Sequence, residues 1–262
     1  MDTVFETPDA LNDRTRAALI DLLYRLADDE LIIGHRDSEW TGLAPILEAD
    51  IAFSSMAQDE MGHALAYYHL LSELGEGDPD TLAFGRSPEQ FRCASLVSLP
   101  KADWGFSVLR QFLYDTAECV RLSALAHSAY RPLAHLARKL QSEEKYHLMH
   151  GRMWVLRLGD ATDESRRIMR DGLAAAYPHA LGLFEPTEAD EPLAQAGISP
   201  RESDLRKQFE SAATPVLREA GLIAPPNAEP VYGGRTGKHP DALASLLDGM
   251  RLVYHTDPDA KW

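Results

Sequence analysis

The chain has 262 residues, 45% of them hydrophobic, with 41 acidic and 26 basic side chains and a formal net charge of −15. That length can bury a sizeable core, and the acidic excess argues against non-specific binding to nucleic acid or anionic membrane. Cys93 and Cys119 form neither a CxxC pattern nor a disulfide framework, Met1 to Ala10 has no signal-peptide pattern, and no stretch approaches the roughly 18 apolar residues of a membrane span, so a soluble, cytoplasmic protein is expected.

After a tail containing Pro8, the pattern turns helical at Arg14, where Ala17, Leu19, Ile20, Leu22, Leu23, Leu26, Leu31 and Ile32 form an i, i+3, i+4 stripe. Glu39 falls near the end of this first long helix, and the stretch Gly42 to Pro45 breaks it. A second helix is expected from Ile46 to Leu74, stopped by Gly75, Gly77, Asp78 and Pro79. Residues 76–103 are a long connection whose prolines forbid one long helix, although Pro88 can open a short one. A third helix follows from Trp104 to Tyr130, and a fourth from Leu133 to Leu158, with Pro132 suited to its first turn. Beyond these lie a fifth helix over Thr162 to Leu183, an acidic linker with Pro186, Pro192 and Pro200, a helix over Ser203 to Ala220, a turn-rich segment to Gly237, and a last helix over Asp241 to Tyr254. The expectation is an all-α, single ferritin-like domain over residues 1–262. Its four-helix core covers about 14–160, with a long crossover between helices 2 and 3, and a helical extension covers 161–262.

Two short stretches carry chemistry, Glu60-Met61-Gly62-His63 and Glu144-Lys145-Tyr146-His147. Residues three apart share a helix face, so each Glu and His can hold one cation together. Two such pairs in one bundle, with a carboxylate from each of the other two helices, are the ligand pattern of ferritin-like di-iron and di-manganese proteins. Glu39 is the candidate on the first helix, and Asp115 or Glu118 on the third. A turn near Arg131 puts Glu118 and Glu144 equally far from it, which favours Glu118, but a shift of the turn by a few residues reverses that choice. Asp59 and Glu143, directly before the paired glutamates, point away from them and are read as outer or surface groups. His69, His127, His135 and His150 are assigned to surfaces or packing, as are Tyr67, Tyr68, Phe112 and Trp104 to the core; for Tyr114 and Tyr146 core packing is favoured over hydrogen bonding near the metal.

Several stretches resemble the phenylacetyl-CoA ring-epoxidase proteins: Leu31-Ile32-Ile33-Gly34-His35-Arg36-Asp37-Ser38-Glu39-Trp40, Gln58-Asp59-Glu60-Met61-Gly62-His63-Ala64, and Arg110-Gln111-Phe112-Leu113-Tyr114-Asp115. The tail, Gly233-Gly234-Arg235-Thr236-Gly237-Lys238-His239 through Pro258-Asp259-Ala260-Lys261-Trp262, is similar to the C-terminus of the structural, PaaC-like subunit of that group. The resemblance implies a subunit of a multicomponent monooxygenase that epoxidises phenylacetyl-CoA. The catalytic di-iron subunit would be its heterodimer partner and a separate reductase the electron donor. Carried over by motif, the ligand order Glu, ExxH, Asp, ExxH implies Glu39, Glu60, His63, Asp115, Glu144 and His147, with two iron ions as the cofactor. The structural subunit is described as not performing the chemistry, yet this chain keeps a complete set. That leaves open an active di-iron oxygenase or oxidase as the alternative. An iron-storage role is disfavoured by the roughly 100 residues beyond the bundle.

Overall fold

A computed structural model describes residues 4–257; the tail stretch Pro258 to Trp262 quoted above lies outside them. Helix α1 (Asp13–Ser38) begins where the Asn12 side chain accepts a hydrogen bond from the Thr15 amide at 2.9 Å, satisfying one of the orphan donors of a first turn. It runs unbroken through Gly34. A Cβ at Gly34 would sit 2.9 Å from the Cβ of Glu60 and 3.1 Å from the Ala57 carbonyl. The glycine therefore allows a close approach of α1 to the antiparallel α2 (Leu47–Glu73), beside one of the ExxH pairs.

The crossover is more ordered than its prolines suggested. It holds α3 (Pro79–Phe84), a 3₁₀ turn at Pro88–Gln90, and α4 (Ser95–Ser98). Phe91, Cys93, Leu96 and Val97 are fully buried, so it forms part of the core rather than a surface loop. Asp103 caps α5 (Trp104–Leu125), accepting from the Phe106 amide at 2.8 Å. Helix α6 (Arg131–Asp160) has Pro132 in its first turn. Thr162 and Ser165 form a reciprocal cap on α7 (Asp163–Leu181). The expected acidic linker contains α8 (Asp190–Gln195), with Pro192 in its first turn, where a missing N–H costs nothing. Then come α9 (Glu202–Glu219), α10 (Asp241–Met250) and α11 (Leu252–Thr256).

The four long helices α1, α2, α5 and α6 make the bundle, α1 paired with α2 and α5 with α6, while α7 and α9 pack against α5 and α6. No strand occurs among the described residues, which carry one isolated bridge between Phe5 and Tyr130. No helix among them is long and apolar enough to cross a membrane.

Helix α1 is buried on every side from Arg25 to Gly34, and this changes what its charges can do. Successive residues diverge by about 100°, so Asp28, Asp29 and Glu30 leave in three directions. Asp28 accepts from Arg86, from the Tyr68 hydroxyl at 2.7 Å and from the Arg92 amide at 2.6 Å. Asp29 meets Arg235 at 2.7 Å and the Ala94 amide at 2.7 Å. Glu30 points into the bundle centre.

Candidate metal centre

Helices α2 and α6 each bring their Glu and His to the bundle axis. Glu60, His63, Glu144 and His147 are all at most 2% exposed, as are Glu30 from α1 and Asp115 from α5. Donor atoms of Glu30, Glu60, His63 and Glu144 lie within 4.8 Å of one another, and a second such group joins Glu60, Asp115 and His147. The Nδ1 of His63 is 3.3 Å from Glu60 Oε2, 3.4 Å from Glu144 Oε1 and 3.6 Å from Glu30 Oε2. The Nδ1 of His147 is 3.3 Å from both Glu60 Oε1 and Glu144 Oε1. Glu60 thus offers one oxygen to each imidazole, which is the disposition of a carboxylate shared between two cations.

The outer nitrogens are held crosswise. His63 Nε2 meets Glu143 at 2.8 Å and His147 Nε2 meets Asp59 at 3.2 Å, so each imidazole is held by the acid beside the other helix's glutamate. That contact fixes the tautomer with hydrogen on Nε2 and leaves Nδ1 free to bind a cation. Gln111, which lies in one of the resembling stretches but was given no role from sequence, donates to Asp115 at 2.7 Å and to Glu60 at 3.4 Å.

The donor chemistry fits divalent metal. Glu30 Oε2, Glu60 Oε2, Asp115 Oδ2, both Glu144 oxygens and both Nδ1 atoms are buried with no hydrogen-bond partner in the protein. Buried polar atoms are rarely left unpaired, and so many converging on one space call for a cation there. The charges also balance: four carboxylates with two neutral imidazoles match two divalent ions. Neighbouring acids have their own counter-ions, Asp37 facing Arg110 at 3.7 Å and Glu118 facing Arg121 at 3.3 Å.

Without metal, protons must take over that balance. Burial, and then the neighbouring Glu60, raise the Glu30 pKa; burial, and then Glu144, raise that of Asp115. Burial alone would lower both histidines, but the surrounding carboxylates outweigh it and hold them protonated. Burial would raise Glu60, yet the His147 charge and hydrogen bonds pull it down. Metal uptake must then displace these protons. The expected result is an affinity that rises with pH, by about one to two protons released per ion across the neutral range. Co²⁺ titrations at several pH values, with an indicator dye counting protons, measure it; pH-independent affinity would contradict the arrangement.

Of the residues expected from sequence, Glu60, His63, Asp115, Glu144 and His147 are brought together, and Glu39 is not. Glu39 is the C-cap of α1, paired with Arg36 at 2.7 Å and 27% exposed at its side chain. The α1 carboxylate that lies in the cluster is Glu30, nine residues earlier and about 13 Å back along the helix axis. The signal for Glu30 was available: three consecutive acids sit amid Leu26, Leu31 and Ile32, a stretch too apolar to be a solvated face. Asp115 rather than Glu118 lies among the clustered donors because the α5–α6 turn is centred near Ser128 rather than Arg131, α5 having ended at Leu125. His69, His127 and His135 are exposed, and His150 accepts from the Trp154 indole at 3.1 Å. Tyr146 is 69% exposed and therefore packs no core. Tyr67 and Tyr114 are buried with unbonded hydroxyls, close enough to Glu30 and Glu118 to feel their charges.

A family model described as "Phenylacetic acid catabolic protein" matches residues 1–262. The chain is 33% identical over 239 residues to the C-type subunit of 1,2-phenylacetyl-CoA epoxidase from Escherichia coli K12, covering 91% of this chain and 96% of that protein. It is 24% identical over 232 residues to the A-type subunit of the same epoxidase from the same organism, covering 86% of this chain and 74% of that protein. Among solved structures, a Synechococcus protein with aldehyde deformylating oxidase activity superposes with a TM-score of 0.54 at 14% identity, over 81% of this chain and 94% of that one. That last likeness establishes the fold, a ferritin-like bundle.

Proposed function

The chain belongs to the phenylacetic acid catabolic protein family, and on that premise we propose that it is the C-type subunit of a cytoplasmic phenylacetyl-CoA epoxidase, working beside a related A-type subunit. The observation that carries this reading is the match to the E. coli C-type subunit, which runs nearly end to end in both proteins. The substrate would be phenylacetyl-CoA, and a separate reductase would deliver electrons to the assembled complex.

In this reading Glu30, Glu60, His63 and Glu144 would hold one iron ion, and Glu60, Asp115 and His147 a second. Iron bound there would supply electrons for activating O2. The protein's own part is to hold the imidazoles through Glu143 and Asp59, to hold Asp115 and Glu60 through Gln111, and to exclude bulk water by burial. Retention of the whole donor set favours a second reading, in which the chain is an oxygenase or oxidase on its own account. Oxygen uptake by the iron-loaded chain alone separates the two: partner-independent turnover supports the second and its absence the first.

The A-type partner would dock on the outer face of α2 and α6. Leu47, Ile51 and Leu65 on α2 and Tyr146, Met149 and Met153 on α6 are exposed, on the helices that also carry Asp59 and Glu143. An exposed apolar face of this kind marks an interaction site. Co-expression with the A-type partner tests the assignment. The wild-type chain is expected to co-purify, and Tyr146→Asp with Met149→Asp to weaken pairing by about a hundredfold, as loss of a central contact pair does, with unchanged helicity. Full pairing by that variant would move the interface elsewhere, and no pairing by the wild type would overturn the subunit reading.

A further inference from the structure

Helices α2 and α6 lie side by side and carry opposite charge. Helix α2 holds five acidic residues and neither lysine nor arginine, whereas α6 holds six lysines and arginines against three acids. A basic helix stands out in a chain whose net charge is −15. On both helices the exposed residues recur at spacings of three and four: Leu47 and Ile51, then Gln58, Gly62 and Leu65 on α2, and Ser142, Tyr146, Met149 and Met153 on α6. That is the period by which one helix packs along another, so the shared outer face is shaped to receive helices.

The bonds that join the two helices fix their register. Asp59 is level with His147 and His63 with Glu143, so α2 and α6 run antiparallel, one number rising as the other falls. Glu48 lies eleven residues before Asp59 and Arg157 ten after His147, which sets these two exposed charges within about 2 Å in height. Glu73, ten after His63, and Arg131, twelve before Glu143, agree within about 3 Å. Arg131 has a loose partner in its own chain, Glu6 at 3.8 Å, and both side chains are open to solvent. Tyr146 stands within about 3 Å of the height of Gly62, where an added Cβ would meet nothing within 4 Å. A two-fold axis running along the helices turns this face onto its own copy without changing height. It lays α2 of one copy on α6 of the other, Glu48 beside Arg157, Glu73 beside Arg131 and Tyr146 over the dimple at Gly62, each twice. An axis across the helices would instead stack α2 on α2 and α6 on α6, like charge on like, which is costly.

We propose that this face is self-complementary and pairs two copies of the chain, α2 against α6, in a two-fold homodimer that gives way when the A-type partner takes the same face. The pairing stands on the charges and spacings of this chain; the exchange alone rests on the subunit reading above. The size of the face suits a stable dimer. Helices of 27 and 30 residues, about 40 Å long and about 10 Å apart, present roughly 800 Å² per copy, the share each partner gives to an interface of standard size. Pairing would also cover Asp59 and Glu143, whose side chains are 40% and 43% exposed in the single chain.

Sedimentation velocity on the full chain across a concentration series tests it. The wild-type chain should form a dimer with a Kd in the micromolar range, weakening as salt is added. Glu48→Arg and Arg157→Glu should each weaken the dimer about tenfold, because either sets like charges together at two places. The chain carrying both substitutions should return to within about threefold of wild type, since opposite charges face each other again. That rescue is specific to α2 lying on α6: with α2 on α2 the combined variant would be no tighter than the single ones. Full helicity in every variant excludes misfolding as the cause. Absence of rescue, or a wild-type chain that stays monomeric at about 100 µM, would overturn the proposal. Added A-type partner should then convert the homodimer into a mixed dimer. A homodimer that obeys the charge swap but ignores that partner would sink the subunit reading and leave the pairing standing.

Discussion

Replacing Glu60 by glutamine is expected to weaken binding at both metal positions, by about a hundredfold or more, as loss of a ligand or its support does, while Glu39→Gln leaves binding unchanged. Glutamine keeps the shape of the side chain, so no cavity forms, but it removes one charge and one donor oxygen from a site where they cannot be replaced by water. Both positions suffer because Glu60 faces His63 with one oxygen and His147 with the other. Glu30→Gln is expected to affect chiefly the position shared with His63, the imidazole it approaches at 3.6 Å. Glu39 ends in a part-exposed pair with Arg36, so its loss is a change at the surface. Equilibrium titration with Co²⁺ checks all three; loss of binding in Glu39→Gln with retention in Glu30→Gln would reverse the assignment.

The second large effect is on stability, and it lies far from the cluster in sequence. Arg235→Ala is expected to destabilise the chain by about 3–5 kcal/mol, the cost of leaving one member of a buried ion pair alone. The Arg235 guanidinium meets Asp29 at 2.7 Å and donates to the Arg92 carbonyl at 2.9 Å and the Leu183 carbonyl at 3.0 Å. Through these bonds the tail ties α1, the crossover and the end of α7 together. Glu185 takes the Gly233 amide at 2.7 Å and the Arg235 amide at 3.3 Å, fixing the approach. A glycine makes the fit possible: Gly237 has φ of +80°, and a Cβ there would collide with the Glu89 carbonyl. For a chain of this size, about 2–4 °C per kcal/mol, Tm should fall by roughly 6–20 °C. Lysine should rescue little, because one ammonium cannot reproduce the planar fork. Arg235→Met combined with Asp29→Asn should recover much of the loss, since no buried charge is then uncompensated. A Tm change under 2 °C or so in the single variant would show that the tail is not an anchor.

These two cases mark what the sequence discloses. Long amphipathic helices were legible because a 3.6-residue period survives inspection, and the ends came within a few residues where Asn12, Asp103, Thr162 or Pro132 supplied a cap or a start. The ExxH spacing was legible because it needs only one helix. Placing Glu30 needed to know that α1 is enclosed on all sides, a property of four helices at once that no local pattern contains. The crosswise bonds of Glu143 and Asp59 were visible only as two acids facing away from their neighbours. Residues 76–103 looked like a loop because their burial comes from Asp28, Arg86 and the tail rather than from any periodicity. Helix α8 was hidden by Pro192, which starts a helix as readily as it ends one.

On the proposed reading the buried carboxylate–histidine cluster is built for two divalent cations. Anaerobic equilibrium dialysis of the purified chain against Fe²⁺ tests it most directly. About two ions per chain are predicted, matching four carboxylates with two neutral imidazoles. Less than about 0.2 ion per chain at saturating Fe²⁺, from protein with full helicity, would contradict it and leave the cluster as a proton-balanced structural remnant.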